Sequence, residues 1–138
     1  LSIIDLSHAG KQPMISNCGN IVLTVNGEIY NYKKIKDELK FKYNFNSNSD
    51  SEVIIYGYLE WGLEELLKKL DGMFAFSILD KNIGKVFIAR DFFGEKPLYY
   101  TKRDNKIIWS SELKSIVNVF VDKKEIDKNA LSLYVYLS

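Results

Sequence analysis

The spacing of hydrophobic residues along the chain predicts short strands mixed with helices. Strand-like runs occur at residues 2–6, 21–25, 41–46, 73–79, 86–90, 98–101 and 107–110. Helical spacing occurs at residues 31–40, 52–61, 63–70 and 112–120, and again after Asp127. Hairpin strands mixed with helices are typical of an α+β protein. Because the run at 73–79 is apolar on both faces, we expect a covered central strand, with two sheets sandwiched between helix layers.

Turn and capping residues suggest where several of these elements begin and end. Residues 17–20 form a turn signal that joins a short segment to the strand-like run at 21–25. Asn31 is a candidate N-cap, and Ser49 and Glu52 have the S-x-x-E spacing of a capping box. Gly62 is expected to end the helix that the box begins.

The composition is that of an ordinary globular protein. Hydrophobic residues make up 46% of the 138 residues and charged residues 27%, and this length fits one domain with a sizeable core. The longest hydrophobic run is only a few residues, far short of the roughly 18 that cross a bilayer. The 19 basic and 18 acidic groups leave a net charge of +1. We therefore expect neither a membrane span nor a nucleic-acid partner.

The single cysteine and the single histidine restrict the chemistry further. Cys18 cannot form an internal disulfide, and no signal peptide is visible, which favours a cytoplasmic protein. A structural zinc site needs four ligands, so no metal site is expected. A catalytic pair of Cys18 and His8 would need a third, orienting group that is not evident. We therefore expect Cys18 to be a free thiol without a catalytic role.

Two short segments could carry chemistry, and each has a structural alternative. Asn26-Gly27 is the strongest short signal for a type I′ turn, and it interrupts the strand-like run at 21–25. The same pair could form an oxyanion hole from a side-chain amide and a backbone N–H. Asp50, placed at a predicted helix start, could interact with the helix dipole or bind a ligand ammonium group. Spacing alone favours the turn and the helix-start role.

An ordered set of motifs is more specific than any of these segments. It comprises Leu1-Ser2-Ile3-Ile4-Asp5-Leu6-Ser7, Gln12-Pro13-Met14, Asn26-Gly27-Glu28-Ile29-Tyr30-Asn31, Ser49-Asp50-Ser51-Glu52-Val53-Ile54, Asp71-Gly72-Met73-Phe74-Ala75-Phe76, Ala89-Arg90-Asp91, Gly94-Glu95-Lys96-Pro97-Leu98-Tyr99-Tyr100 and Ser110-Ser111-Glu112-Leu113-Lys114. In this order the motifs resemble the glutaminase domain of glutamine-hydrolysing asparagine synthetases, over essentially the whole chain. These domains are class II glutamine amidotransferases with the N-terminal-nucleophile hydrolase fold, a four-layer αββα sandwich of mainly antiparallel sheets.

The resemblance implies a mechanism and a set of site residues. In that family an N-terminal cysteine thiolate attacks the glutamine amide, with its own α-amine as the base. Ammonia leaves, water hydrolyses the thioester to glutamate, and the ammonia reaches an ATP-dependent synthetase domain that amidates aspartate. Asn26 and Gly27 match the oxyanion hole, with Glu28 in the same glutamine-binding loop. Asp50 matches the acid that binds the glutamine ammonium, and Leu1, Ser2, Ile3 and Ile4 match the segment that lines the site.

The resemblance also implies what lies outside this sequence. The chain begins at Leu1 within an apolar segment, so we expect an N-terminally truncated domain. The nucleophilic cysteine and the arginine that binds the glutamine carboxylate would precede Leu1, and the chain alone should be inactive. We expect the amidotransferase domain at 1–120, and at 121–138 a linker or first helix towards a synthetase domain. Phe92 departs from the family pattern, because many relatives have arginine there.

The expected partners and cofactors follow from the same resemblance. They are glutamine and the chain's own synthetase domain, with ATP and Mg²⁺ bound by that domain and no cofactor bound here; a homodimer is left open. Two alternatives also remain open. One is a paralogue that amidates a sugar or another carboxylate, and the other is a non-catalytic binding module with the same fold.

Overall fold

The computed structural model describes residues 5, 10–103, 105–119 and 126–137. The strands are β1 (Met14–Ile15), β2 (Ile21–Ile29), β3 (Gly72–Asp80), β4 (Lys85–Arg90), β5 (Tyr99–Arg103) and β6 (Lys106–Ser110). The helices are α1 (Tyr32–Leu39), α2 (Glu52–Lys69), α3 (Leu113–Val119) and α4 (Lys128–Leu137). The predicted α+β class is confirmed.

Two antiparallel sheets organise these strands. Four strands form one sheet in the order β1-β2-β3-β4, and β5 and β6 form a second, two-stranded sheet. As predicted, β3 is central, because Phe74 to Ile78 is apolar enough to be buried on both faces. Nine residues of β2 pair with β3, from Ile21 opposite Asp80 to Ile29 opposite Gly72.

Side chains alternate between the two faces of the larger sheet, and this alternation sets the layers. Leu23, Val25, Phe76 and Ile78 face α1 and α2, in a core that includes Val53 to Tyr56 of α2. The opposite face carries Thr24, Asn26, Ala75 and Ser77 and lies across a cleft from Trp109 and Ser111. Helix α3 packs on β5 and β6. The layer order is therefore helices, sheet, sheet, helix, which matches the predicted αββα sandwich.

The expected interruption at Asn26-Gly27 is wrong. Strand β2 runs through both residues, with Asn26 opposite Ala75 and Gly27 opposite Phe74. The glycine meets a different need from that of a turn. A Cβ on Gly27 would lie 2.1 Å from the carbonyl oxygen of Met73, and the glycine has φ +152°. The Asn-Gly pair thus allows a close approach of two strands.

Two other local predictions are also wrong. Residues 41–46 form no strand; Tyr43 and Phe45 instead place their rings against Tyr56 of α2, at centroid distances of 5.1 and 4.8 Å. The capping box does not form, because the Glu52 carboxylate accepts the backbone N–H groups of Asn46 and Ser47. Without a neighbouring strand, an alternating aromatic pattern is satisfied by packing on a helix.

Several predicted boundaries are confirmed. Gly62 breaks α2 with φ 74° and ψ 174°, and the Asp127 carboxylate accepts the N–H groups of Asn129 and Ala130 at the start of α4. Asn31 precedes α1, but its amide bonds Lys69 O and Asp71 N–H instead of capping that helix. The strand predicted at 2–6 lies outside the described residues apart from Asp5.

Candidate active site

Four of the eight predicted site residues lie within the part of the chain that the structure describes. Leu1, Ser2, Ile3 and Ile4 lie outside the described residues. Asn26, Gly27 and Glu28 lie towards the carboxyl end of β2. Asp50 lies just before α2, 21 residues further along the chain than Ile29, and it contacts this end of β2.

The outer edge of β2 is the edge that does not pair with β3, and it displays the backbone groups of alternate residues. Val25 N–H bonds the Gln12 side chain, and Ile29 N–H bonds the Asp50 side chain. Because the N–H direction alternates along a strand, Gly27, midway between them, directs its N–H to the same edge. Phe74, opposite Gly27, agrees with this, since its N–H and C=O bond Asp91 on the other side. Gly27 is therefore placed as an edge donor between two anchors.

Gln12 forms the first of these anchors. Its Nε2 donates to Val25 O at 2.8 Å, and its Oε1 accepts Val25 N–H at 2.7 Å. This pair of bonds has the pattern of a strand ladder, but a side-chain amide supplies it. It continues the pairing of β1 with β2, in which Met14 lies opposite Leu23.

Asn26 points out of the sheet on the face opposite the helical core. Its Nδ2 donates to Ser111 Oγ in a long hydrogen bond of 3.4 Å. The two residues lie in a cleft of about 240 Å³ between the sheets, which Gln12, Thr24, Ser77 and Trp109 also line. The Asn26 amide thus lies in the cleft, while the N–H of Gly27 lies at the neighbouring edge. An oxyanion hole needs two such donors near one oxygen atom, and these two donors belong to adjacent residues of β2.

Asp50 forms the second anchor. It is 6% exposed, its Oδ2 accepts Ile29 N–H at 2.7 Å, and its Oδ1 accepts the Ser51 hydroxyl at 3.4 Å. The expected role in the first turn of a helix is wrong in detail, because α2 begins two residues later, at Glu52. The carboxylate holds the end of β2 instead.

The loop that carries Asp50 is held from two sides. Glu52 accepts from Asn46 N–H and from the N–H and hydroxyl of Ser47. Asp5 is itself buried, and its Oδ2 accepts Asn48 N–H at 2.8 Å. The described residue that follows Leu1–Ile4 therefore lies against the loop of Asp50.

Acidic groups surround the carboxyl end of β2. Partial burial, together with the nearby carboxylates of Glu95 and Glu28, raises the pKa of the Tyr30 phenol. The carboxylates act on the Tyr30 hydroxyl in the same direction as burial, which is the larger cause of the raised pKa.

Asp91 organises the neighbouring loop. It accepts the backbone N–H groups of Phe74, Glu95 and Lys96. Burial alone would raise the pKa of this carboxyl, but the N–H donors outweigh it and hold the pKa below its usual range. Phe92 beside it is 95% exposed, so the departure at this position leaves the strand pairing of Gly27 and Asn26 unaffected.

Sequence reasoning did not assign roles to Gln12 and Asp5. Gln12 lies in the motif Gln12-Pro13-Met14. No local pattern shows that its side-chain amide would bond Val25, 13 residues later in the chain. The charged Asp5 within an apolar run was the available signal for a buried, hydrogen-bonded acid. Among the described residues, no three His, Cys, Asp or Glu side chains are grouped so that they could hold a metal ion. Over the same part of the chain, no helix is long and apolar enough to cross a membrane.

The layers define the class of protein as an α+β sandwich with two antiparallel sheets at its centre. Comparison with known proteins identifies the family. The family model of the glutamine amidotransferase domain matches residues 1–138, so the chain belongs to that family. The resemblance seen in the sequence motifs is thereby confirmed.

Named relatives extend this result. The chain is 47% identical over 116 residues to "Asparagine synthetase [glutamine-hydrolyzing] 2" of Bacillus subtilis, covering 84% of the chain and 15% of the relative. It is 40% identical over 153 residues to "Putative asparagine synthetase [glutamine-hydrolyzing] 2" of Methanocaldococcus jannaschii, covering 99% and 29%. It is also 43% identical over 117 residues to "Amidase chry2" of Gibberella zeae, covering 85% and 17%. The chain thus spans less than a third of the length of each of these relatives.

Proposed function

We propose that the chain is the glutaminase domain of a glutamine-dependent asparagine synthetase. It would hydrolyse glutamine to glutamate and supply ammonia to a synthetase domain that converts aspartate to asparagine. The names of the bacterial and archaeal relatives support this function. So does the family match over the whole chain.

The observation that carries the proposal is the placement of Asp50 beside the strand of Asn26 and Gly27. The N–H groups of Gly27 and Ile29 are two strand residues apart, about 7 Å, and Asp50 binds the second of them. In glutamine a short methylene chain separates the ammonium-bearing carbon from the amide carbon. A ligand with its ammonium at Asp50 could therefore extend its amide towards Gly27 and Asn26.

The reaction places each of these residues in a role. An N-terminal cysteine thiolate, expected before Leu1, attacks the amide carbon and forms a tetrahedral oxyanion. Asn26 Nδ2 and Gly27 N–H donate to that oxygen, while Asp50 holds the ammonium group. The carbon–nitrogen bond then breaks, ammonia leaves with the proton that the α-amine has accepted, and water hydrolyses the thioester to glutamate. The chain without that cysteine should release no ammonia.

The remaining parts of the proposal concern the complete protein. ATP and Mg²⁺ would bind in a separate synthetase domain, and residues 121–138 would lead towards it. The side chains of α4 are exposed over its described length, as a helix that contacts another domain would be. The single cysteine, which cannot form an internal disulfide, favours a cytoplasmic protein. A homodimer is a further expectation for the complete protein.

A second acceptor substrate has one specific observation in its favour. The Gibberella zeae relative, at 43% identity, is named an amidase and not an asparagine synthetase. This domain therefore occurs in a relative that is not named an asparagine synthetase, which leaves open that its ammonia is used to amidate another carboxylate. Assaying the full-length protein with ATP, glutamine and either aspartate or other carboxylates decides between the two, because the glutaminase half-reaction is common to both.

The test of the glutaminase site uses Asn26→Ala in the full-length protein. An oxyanion hole acts on charge that is present mainly in the transition state. We expect kcat for glutamine hydrolysis to fall by roughly 10²–10³, with little change in KM and with ammonia-dependent synthesis intact.

The matched control is Asn17→Ala, which removes an exposed asparagine amide at the other end of β2. It should leave both rates unchanged. If Asn26→Ala lowers the glutamine- and ammonia-dependent rates together, the damage is structural and the oxyanion assignment is wrong. If the unaltered full-length protein produces no glutamate from glutamine, the domain is a non-catalytic module.

A further inference from the structure

The outer edge of β2 has a short partner strand. β1 contributes only Met14 and Ile15, opposite Leu23 and Val22. Beyond β1, the backbone N–H and C=O of Val25 would face away from the sheet without a strand to pair with. The Gln12 side chain takes both groups, at 2.7 and 2.8 Å.

These two hydrogen bonds act on the backbone immediately before Asn26. The carbonyl that Gln12 holds belongs to the peptide plane between Val25 and Asn26. On the opposite side, Asn26 is paired with Ala75 of β3. The plane that leads into Asn26 is therefore held from both sides, and so is the direction in which its side chain leaves the sheet.

The position of Gly27 depends on the same anchor. Its N–H points to the outer edge between Val25, which Gln12 holds, and Ile29, which Asp50 holds. If the Gln12 bonds are removed, β3 still pairs with this stretch, but its outer edge is anchored at Ile29 only. Both donors of the proposed oxyanion hole would then gain freedom, although neither contacts Gln12 through its own donor group.

We propose that Gln12 is a positioning residue for glutamine hydrolysis, holding Asn26 and Gly27 in register with the developing oxyanion through its amide clamp on Val25. This inference rests on the proposed glutaminase function and extends it to a residue outside the oxyanion hole. Gln12 binds no part of the substrate in this role. Its effect should therefore appear in kcat and depend on Asn26.

The test compares Gln12→Met and Gln12→Glu with the unaltered full-length protein. Methionine keeps the length and much of the volume of the side chain but removes both hydrogen bonds. Glutamate keeps an acceptor for Val25 N–H. This variant provides the test if the methionine variant fails to fold. Misplacing a catalytic group by about 1 Å can lower the reaction rate about 10²-fold. We therefore expect kcat for glutamine hydrolysis to fall by about 10- to 100-fold. KM for glutamine and the ammonia-dependent rate should stay nearly unchanged.

The kcat of a double variant distinguishes a positioning role of Gln12 from a merely structural one. If Gln12 acts in part through Asn26, Gln12→Met should lower kcat clearly less in an Asn26→Ala background than in the unaltered protein, because one of the two donors that it positions is already gone. Hydrogen exchange should also accelerate at the amide of Val25 in Gln12→Met and stay slow at Ile29. Asn17→Ala serves as the control for the loss of an amide side chain near β1.

The outcomes separate this inference from the function on which it rests. If Asn26→Ala lowers kcat but neither Gln12 variant does, or if the two losses simply multiply, Gln12 is not a positioning residue and the glutaminase function stands. Parallel loss of glutamine- and ammonia-dependent rates in the Gln12 variants would likewise overturn the inference. If the unaltered protein hydrolyses no glutamine, the proposed function fails and the inference fails with it.

Discussion

Replacing Gly27 by alanine should separate two strands of the sheet. The added Cβ would lie 2.1 Å from Met73 O and 2.6 Å from Phe74 Cα, both backbone atoms that cannot rotate away. A Cβ added to Gly72 would clash with the opposite strand in the same way, at 2.2 Å from Glu28 O. Both glycines have φ in the range that L side chains rarely adopt, +152° and +158°.

The size of the effect follows from these distances. Ordinary contact begins at 3.4 Å, so Met73 O would have to retreat by about 1.3 Å. Such a shift strains the hydrogen bonds between β2 and β3 around Gly27, each worth about 1 kcal/mol. Unfavourable φ adds about 1–2 kcal/mol. We expect Gly27→Ala to lower the free energy of unfolding by about 3–4 kcal/mol.

The control is Gly84→Ala, which isolates the cost of the backbone angle. Gly84 has φ +62°, and its added Cβ would meet nothing within 4 Å, so it should cost only about 1–2 kcal/mol. Calorimetric melting of the full-length protein should place the domain transition of Gly27→Ala about 10 °C below that of Gly84→Ala. The double variant of Gly27 and Gly72 should cost less than the sum of the single variants, since one strand separation relieves both clashes. Equal melting temperatures for Gly27→Ala and Gly84→Ala, or additive costs in the double variant, would refute the close approach.

Two further predictions concern charge and pH. Asp50→Asn keeps an oxygen for Ile29 N–H but removes the negative charge. We therefore expect KM for glutamine to rise by roughly 10- to 100-fold, equivalent to about 1.5–3 kcal/mol, with little change in melting temperature. An unchanged KM would show that Asp50 is only a strand anchor. Burial, with the hydrogen bond to the Asp80 carboxylate, raises the pKa of Tyr58 from 10 to about 12. Because the folded state favours the neutral phenol, its contribution to stability is complete below pH 10 and is lost as pH rises from 10 to about 12. The melting temperature difference between the unaltered protein and Tyr58→Phe should therefore shrink across that interval, and a constant difference would contradict the assignment.

The elements that the sequence predicts well are those whose signal is local and strong. The central strand β3, the break at Gly62 and the cap at Asp127 depend on hydrophobicity, glycine and a short acidic side chain within a few residues. The failures depend on distant partners. Asn26-Gly27 has the local pattern of a turn, yet Gly27 is required by the carbonyl of Met73, 46 positions later in the chain.

The candidate site was predictable in its residue types more than in its geometry. The resemblance named Asn26, Gly27 and Asp50, but nothing near them in sequence shows that Asp50 binds the backbone of Ile29. Gln12 illustrates the same limit, since its clamp on Val25 exists only once β1 and β2 have paired. Contacts of this kind are set by tertiary packing, which a reading of local pattern does not contain.

The burial of Asp50 bears on the ligand that we propose for this site. A carboxylate that is 6% exposed receives little compensation from water. Its two contacts, Ile29 N–H and the Ser51 hydroxyl, are neutral donors, and among the described residues no lysine or arginine forms an ion pair with it. Buried carboxylates usually have a charged partner. The ammonium group of glutamine has the opposite charge and several N–H donors. Its binding would offset the cost of burying the Asp50 charge, which the two neutral donors offset only in part. Because the neutral contacts already fix the carboxylate on β2, the ammonium would be bound at a set distance from Gly27 and Asn26. One residue would then determine both how tightly glutamine binds and where its amide lies.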